Sequence, residues 1–347
     1  MYHDKPLLLK LAFCGNHEQS LRAMTKKLPS LQRHLEQVIA EDPPRAKSLC
    51  VTVLGDAVGP HGGVAWLGNL IELLEPMGIN ERLLRTSVFR LVAQGWLKSE
   101  REGRRSRYEL AEQGLKLTAR ASPRIYIGPP MVWDGSWTVV ILPRFGSHGL
   151  AERTALRDQL VWEGFGVIAP GVYAHPHANP QIAHDILEKL GLPDLALVLH
   201  ANDNATPDGL PIASLASQCW NLEDLSQQYQ RFYERFAPFE ALTESEIEPK
   251  LAHMLRALLI HAWRRVVLHD PQLPSAMLPS PWAGQTARAL CERLYWKIFA
   301  SSESYLEAQL SPENPQHQPL SPQVFSRFGG APAHVIQAVQ SLMNVSR

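Results

Sequence analysis

The chain has 347 residues, 45% of them hydrophobic, and its 34 basic side chains balance 34 acidic ones. That composition excludes a disordered or fibrous protein and leaves room for two or three cores. Four cysteines, Cys14, Cys50, Cys219 and Cys291, lie far apart with no C-x-x-C spacing, which argues against a zinc knuckle or a disulfide framework and fits a reduced, cytoplasmic setting.

The N-terminus, MYHDKPLLLKLAFCG, imitates a signal peptide faintly, but Lys10 splits its apolar run and no small-residue cleavage site follows. No stretch reaches the about 18 uninterrupted apolar residues of a spanning helix, so no membrane partner is expected. Residues 1–44 form an N-terminal extension. Leu31, Leu35 and Val38 have helical spacing there, and Pro43-Pro44 breaks the pattern.

Residues 45–125 read as three helices, a hairpin and a connecting helix. Lys47 to Val58 is stopped by the glycines around Pro60, Ala65 to Leu74 by Pro76 and Gly78, and Asn80 caps a third helix ending at Gly95. Trp96 to Arg101 and Arg105 to Leu110 are strand arms about Glu102-Gly103, where glycine supplies positive φ. Three helices followed by a basic hairpin predict a winged helix-turn-helix. Between Arg82 and Arg107 stand eight basic residues and two acids, a local excess of six positive charges. That excess is the footprint of a site that displaces counterions from a phosphate backbone. Leu84, Val88, Leu91 and Val92 gather on one side of the third helix, while Arg82, Arg85, Thr86 and Arg90 gather on the other. Arg82, Arg85 and Thr86 suit base edges and Arg90 suits phosphate; Ser87 lies at the boundary of the faces. Arg101, Arg104, Arg105 and Arg107 would reach the minor groove from the hairpin. A merely solvated charged surface explains any one of these arginines better than it explains the set.

Residues 126–205 change character. Trp137–Leu142, Gly166–Ala169, Val172–Ala174 and Leu195–His200 read as strands, with helices at Ala151–Trp162 and Gln181–Leu190. The order βαββαβ predicts a ferredoxin-like central domain with both helices on one face, a scaffold suited to homodimerisation. Residues 206–310 read as a helical C-terminal domain. Leu222, Leu225, Tyr229, Phe232 and Phe236 form one stripe there, and Leu251–Leu268 and Thr286–Leu310 give two further amphipathic helices. Residues 311–347, opening with a stretch rich in Pro, Gln and Ser, read as a C-terminal tail. The whole is an α+β multidomain protein.

The strings GPHGGVAWLGNLIELLEPMGINERLLRTSVFRLVAQGWLKSEREGRRSRYEL, WDGSW, VWEGFGVIAPGVYAHP and RRVVLHDPQLPSAMLPSPWAGQTARALC resemble the PaaX family of transcriptional repressors of phenylacetate catabolism. The resemblance runs from about Ser48 to Gly330. It implies a GntR-like winged-helix domain, a central domain like a small CRISPR-associated subunit, a helical C-terminal domain, double-stranded operator DNA as partner, and release by an aryl-CoA thioester effector, phenylacetyl-CoA, with no cofactor.

An alternative is a metal-dependent nuclease using the central domain, since some CRISPR-associated subunits use an acid at the end of the first strand. Here that strand ends Leu142-Pro143-Arg144, whose side chains cannot hold a divalent cation, and Asp134 precedes it. His175 and His177, with no third ligand nearby in sequence, read as surface residues, so neither a metal nor catalytic residues are expected. For the effector, His261, Arg264 and Arg265 offer cations and Trp282 a ring. The competing reading is a structural pair between Arg264 or Arg265 and Asp270.

Overall fold

The computed structural model describes residues 31–128, 132–143, 149–202, 212–243, 247–310 and 317–345. It divides at Pro43 into two compact units. In the first, helix α1 (Leu31–Glu41) carries Leu31, Leu35 and Val38 along one side. Gln32 and Gln37 donate to Glu36 and Glu41 one turn further on, the i, i+4 pairing that supports a short helix.

The second unit begins with α2 (Ala46–Val53), which runs on through a π-helical turn (Leu54–Val58) and a 3-10 turn (Gly59–His61). Gly62 and Gly63 then take φ of 93° and 75°, a left-handed geometry that side chains resist. The chain emerges extended, so Val64–Trp66 forms strand β1 where the sequence suggests the start of a helix. All three side chains are buried. Helix α3 (Leu67–Leu74) follows, and helix α4 (Glu81–Ala93) is capped as expected, Asn80 Oδ1 accepting from Leu83 N at 2.9 Å. Strands β2 (Leu97–Glu102) and β3 (Arg105–Leu110) close about Gly103-Arg104, and β3 also pairs with β1, giving the antiparallel order β1-β3-β2.

Helix α5 (Glu112–Ser122) continues through Pro123 as a π-helical turn to Ile127, beyond the expected stop at Ser122-Pro123. It sits tightly on the joint between α4 and β2. A Cβ at Gly114 would lie 2.2 Å from the Trp96 carbonyl oxygen, and Ala111 N donates to that same oxygen at 2.9 Å. Backbone must move to admit any side chain there, so Gly114→Ala is expected to destabilise the protein by about 1–3 kcal/mol. Thermal unfolding measures this directly, and an unchanged midpoint would mean that α5 rides loosely on Trp96.

Strands β4 (Ser136–Ile141), β5 (Gly166–Ala169), β6 (Val172–His175) and β7 (Leu197–Asn202) form a second antiparallel sheet in the order β5-β6-β4-β7. Helices α6 (Leu150–Trp162) and α7 (Pro180–Lys189) send Leu156, Leu160, Ile186 and Leu187 into one core with Val140 and Tyr173. Val140 and Tyr173 are cross-strand partners, so both helices cover the same face. The opposite face shows Leu197 and Leu199, 53% and 40% exposed, beside Val139 and Ile141.

Helices α8 (Ile212–Cys219), α9 (Leu222–Phe236), α10 (Pro249–Val267) and α11 (Ala283–Leu310) complete the helical part. The predicted stripe of α9 is buried at all five positions. The reading of 311–347 as a tail is corrected from residue 317 onward. A 3-10 segment (Pro322–Gly329) and helix α12 (Ala333–Val345) fold back, burying Leu320, Val324, Phe328, Val335 and Val339. Phe328 sits 5.4 Å from the ring of Tyr126 and 5.1 Å from that of Tyr295. A few apolar anchors hold a segment whose polar composition disguises them. Among the described residues, no helix is long and apolar enough to cross a membrane.

Candidate nucleic-acid interface and ligand cleft

Helix α4 divides its side chains as its spacing requires. Leu84, Val88 and Leu91 are fully buried, while Arg82, Arg85, Thr86, Phe89 and Arg90 face outward. Ser87 belongs to the packed side: it is 6% exposed and its hydroxyl donates to Leu83 O at 2.8 Å, so it fills the turn and has no route to an external partner. Arg85 is engaged with Glu81 one turn back, its Nη2 2.6 Å from Oε1. Exposed pairs of this kind contribute only about 0.3–0.5 kcal/mol and yield readily to a stronger anion. Thr86 donates to Arg82 O at 2.9 Å and keeps its lone pairs available. Sequence reasoning missed Phe89, 74% exposed in the middle of this face. Its position four residues after Arg85 places it there.

The hairpin separates its arginines. Direct cross-strand partners share a sheet face, which puts Arg105 and Arg107 with Glu102, Glu100 and Trp66. Arg107 pairs with Glu100 and is largely covered, while Arg105 lies over the Trp66 ring at 5.8 Å. Arg101 lies on the other face and donates to Gly103 O at 3.2 Å; Arg104 is at the exposed turn. Arg82, Arg90 and Arg104 are exposed and carry no ion pair among the described residues. The positive field is therefore concentrated on the outer face of α4 and the hairpin tip.

A cleft of about 560 Å³ opens between α5, the second sheet and the end of α10. Trp96, Leu117, Trp162, Ile182 and Leu268 line it with apolar surface, and Arg120, Arg124 and Arg264 bring cations. Two buried nitrogens on its wall, Arg124 Nε and His177 Nε2, have no hydrogen-bond partner, and buried polar atoms seldom stay unsatisfied without a reason. Burial also disfavours the charge on Arg124 and Arg264, which an incoming anion would relieve. Of the four residues that the sequence offers for a ligand, Arg264 lines this cleft, its Nη1 donating to Thr52 Oγ1 at 2.6 Å. The others lie elsewhere: His261 is buried against Thr52 at 3.1 Å, Arg265 is on the exposed side of α10, and Trp282 packs on Tyr229 at 6.0 Å. Arg264 turns to Thr52 and does not pair with Asp270, which accepts from the Tyr229 hydroxyl and from Gln272 N.

His175 is not a surface residue. It is 7% exposed, its Nδ1 accepts from His177 N and Ala178 N at 3.0 and 2.9 Å, and its Nε2 donates to Pro271 O at 3.0 Å. Burial pushes its pKa down to about 4, and with both nitrogens committed it is a neutral strut between the second sheet and the loop after α10. At the end of β4, Pro143 O accepts from Arg153 at 2.7 Å; Arg144 lies outside the described residues.

A buried charge network also escaped the sequence reading. Arg256 on α10 donates to Asp56 Oδ2 at 2.7 Å and pairs with Glu303 on α11 at 2.5 Å. Arg327 reaches the other Asp56 oxygen at 2.9 Å, and Tyr126 donates to it at 2.6 Å. Four segments distant in sequence thus meet at Asp56, next to the wall of the cleft.

The chain matches three families in succession: residues 45–114 match "PaaX-like protein", 130–211 "PaaX protein central Cas2-like domain" and 220–308 "PaaX-like protein C-terminal domain". It is 33% identical over 306 residues to "Transcriptional repressor PaaX" of Escherichia coli (strain K12), covering 87% of this chain and 96% of that one. A solved structure, an uncharacterized protein from Mycobacterium tuberculosis, is 26% identical and covers 72% of this chain and 96% of its own, with a TM-score of 0.47. Identity at this level across nearly all of the curated repressor, together with matches to all three successive parts, shows that the chain belongs to the PaaX family.

Proposed function

We propose that this protein is a DNA-binding transcriptional repressor of phenylacetate catabolism genes, acting in the cytoplasm as a homodimer and released from its operator by phenylacetyl-CoA. The observation that carries the reading is the outward arginine face of α4 beside an arginine-tipped hairpin, in a chain that shares most of its length with a curated repressor. In this reading residues 45–125 are a winged helix-turn-helix with α4 as the helix that enters the major groove. Arg82 and Arg85 take base edges, Thr86 and Arg90 take base or phosphate, and Phe89 suits the methyl group of thymine. Arg101 and Arg104 at the hairpin tip reach the adjacent minor groove, while Arg105 and Arg107 support the hairpin. The ferredoxin-like second sheet serves as scaffold. Its open face around Val139, Ile141, Leu197 and Leu199 gives a second copy something apolar to cover. The stretch directly after β4, Leu142 to His148, contains no acid, so nothing there favours the nuclease alternative.

The cleft is the effector site in this reading. Its volume lies within the range of ordinary ligand pockets, Trp96 and Trp162 suit an aryl group, and Arg120, Arg124 and Arg264 suit the phosphates of a CoA thioester. Trp96 links α4 to β2, so a ligand pressing on it acts at the joint between the two reading elements. Fluorescence anisotropy with promoter DNA of phenylacetate genes tests both claims. The protein is expected to retain that DNA over a control duplex and to release it with phenylacetyl-CoA, and Arg124→Ala is expected to keep retention while losing release. Equal binding to both duplexes would overturn the repressor reading. Retention unchanged by saturating thioester would overturn the effector alone.

A further inference from the structure

A cluster apart from both the interface and the cleft joins three stretches remote in sequence. His61 ends the 3-10 turn after α2, Glu307 lies near the end of α11, and His317 opens the returning C-terminal segment. One ligand atom from each lies within 4.8 Å of the others. Glu307 Oε2 is 2.9 Å from His317 Nε2 and 3.9 Å from His61 Nδ1. Two donors on a tetrahedral zinc with bonds of about 2.0–2.1 Å stand about 3.3 Å apart, between the two distances observed.

The surroundings of His61 point the same way. Its Nε2 is 2.9 Å from Glu303 Oε2, and Glu303 is itself pinned by Arg256. A histidine whose far nitrogen donates to an anchored carboxylate presents the other nitrogen at a fixed angle and with raised basicity, the usual support for a metal-ligating imidazole. His61 is buried, while Glu307 and His317 are half-buried, which leaves an entry path. We propose that His61, Glu307 and His317 form a zinc site, its fourth position taken by water or by the Gln318 carbonyl, which is 3.2 Å from His61 Nδ1. Two imidazoles and one carboxylate are a donor set that zinc takes readily. Gln318 N already donates to His61 O at 3.2 Å, so the metal would lock the returning segment onto the turn that leads into β1. Binding replaces protons on the imidazoles, so zinc uptake releases protons.

The test uses the full-length protein stripped with EDTA, dialysed against zinc chloride, and assayed by mass spectrometry of the metal. One zinc per chain and a raised unfolding midpoint are expected, with affinity reduced at least tenfold in Glu307→Gln and in His317→Ala. Both substitutions leave the buried His61–Glu303–Arg256 contacts in place. X-ray absorption of the zinc-loaded wild type should show two imidazoles and oxygen. A wild type that retains no zinc, undiminished uptake by both variants, or sulfur ligation would each overturn the site.

Discussion

Replacing Arg82, Arg90 and Arg104 together with alanine is expected to weaken specific DNA binding by about a thousandfold or more. A bidentate arginine contact to a base contributes about 1–3 kcal/mol of discrimination, and a factor of ten in affinity is about 1.4 kcal/mol. Three such losses therefore reach the stated range even if one arginine touches only phosphate. These three are the informative choice because they are exposed and hold no ion pair among the described residues, so their removal leaves no partner behind in the protein. The effect on folding should stay within about 0.5 kcal/mol, as for ordinary surface substitutions. The slope of log affinity against log salt should also flatten by about 0.9 for each phosphate that is no longer neutralised. Arg107→Ala is the contrasting variant: its charge is already met by Glu100, so its removal should cost far less. A loss below tenfold in the triple variant, measured by anisotropy at fixed salt, would remove α4 and the hairpin tip from the interface.

Arg256→Ala is expected to destabilise the native state by about 3–5 kcal/mol, the cost of leaving buried charge uncompensated. Asp56 and Glu303 are 3% and 4% exposed. Burial by itself raises the Glu303 carboxyl, but the charge of Arg256 and the hydrogen bond from His61 outweigh it and hold its pKa at about 2. Asp56 is likewise lowered, its burial outweighed by Arg256 and Arg327. A carboxyl depressed in the folded state lends stability that is complete above its unfolded pKa, about 4, and disappears as pH falls toward the folded value. Wild-type stability should therefore drop between about pH 4 and pH 2, and that drop should shrink in Arg256→Ala. Urea unfolding at several pH values measures both effects. A destabilisation below 1 kcal/mol would show that water or a neighbouring group satisfies the two acids.

The sequence revealed those parts of the structure that rest on local rules. Asn80, Gly95 and Gly103 mark ends and turns through backbone chemistry that acts within a few residues, and apolar periodicity placed α4, α9 and all four strands of the second sheet. It revealed less where distant partners decide. Val64–Trp66 is too short to show alternation and becomes a strand because β3 is there to receive it. Arg256 sits in PKLAHMLRALLIHAW as though it were a solvent-facing break in a greasy helix, and only the arrival of Asp56 and Glu303 makes its burial tolerable. Arg264 could be picked out as a cation on a helix end; Arg124 and His177 could not, because their unpartnered nitrogens exist only once α5, the second sheet and α10 enclose the cleft.

Asp56 has a consequence for the order in which the chain matures. It is made beside the elements that carry the arginine face, yet its partners Arg256, Tyr295 and Arg327 emerge some 200 to 271 residues later. Until they arrive its carboxylate must stay hydrated, so the turn after α2 cannot close into its final form. The turn after α2 is thus completed only once the segment that carries Arg327 has been made, 271 residues beyond Asp56, and a chain cut short of it cannot fully order the stretch that leads into β1.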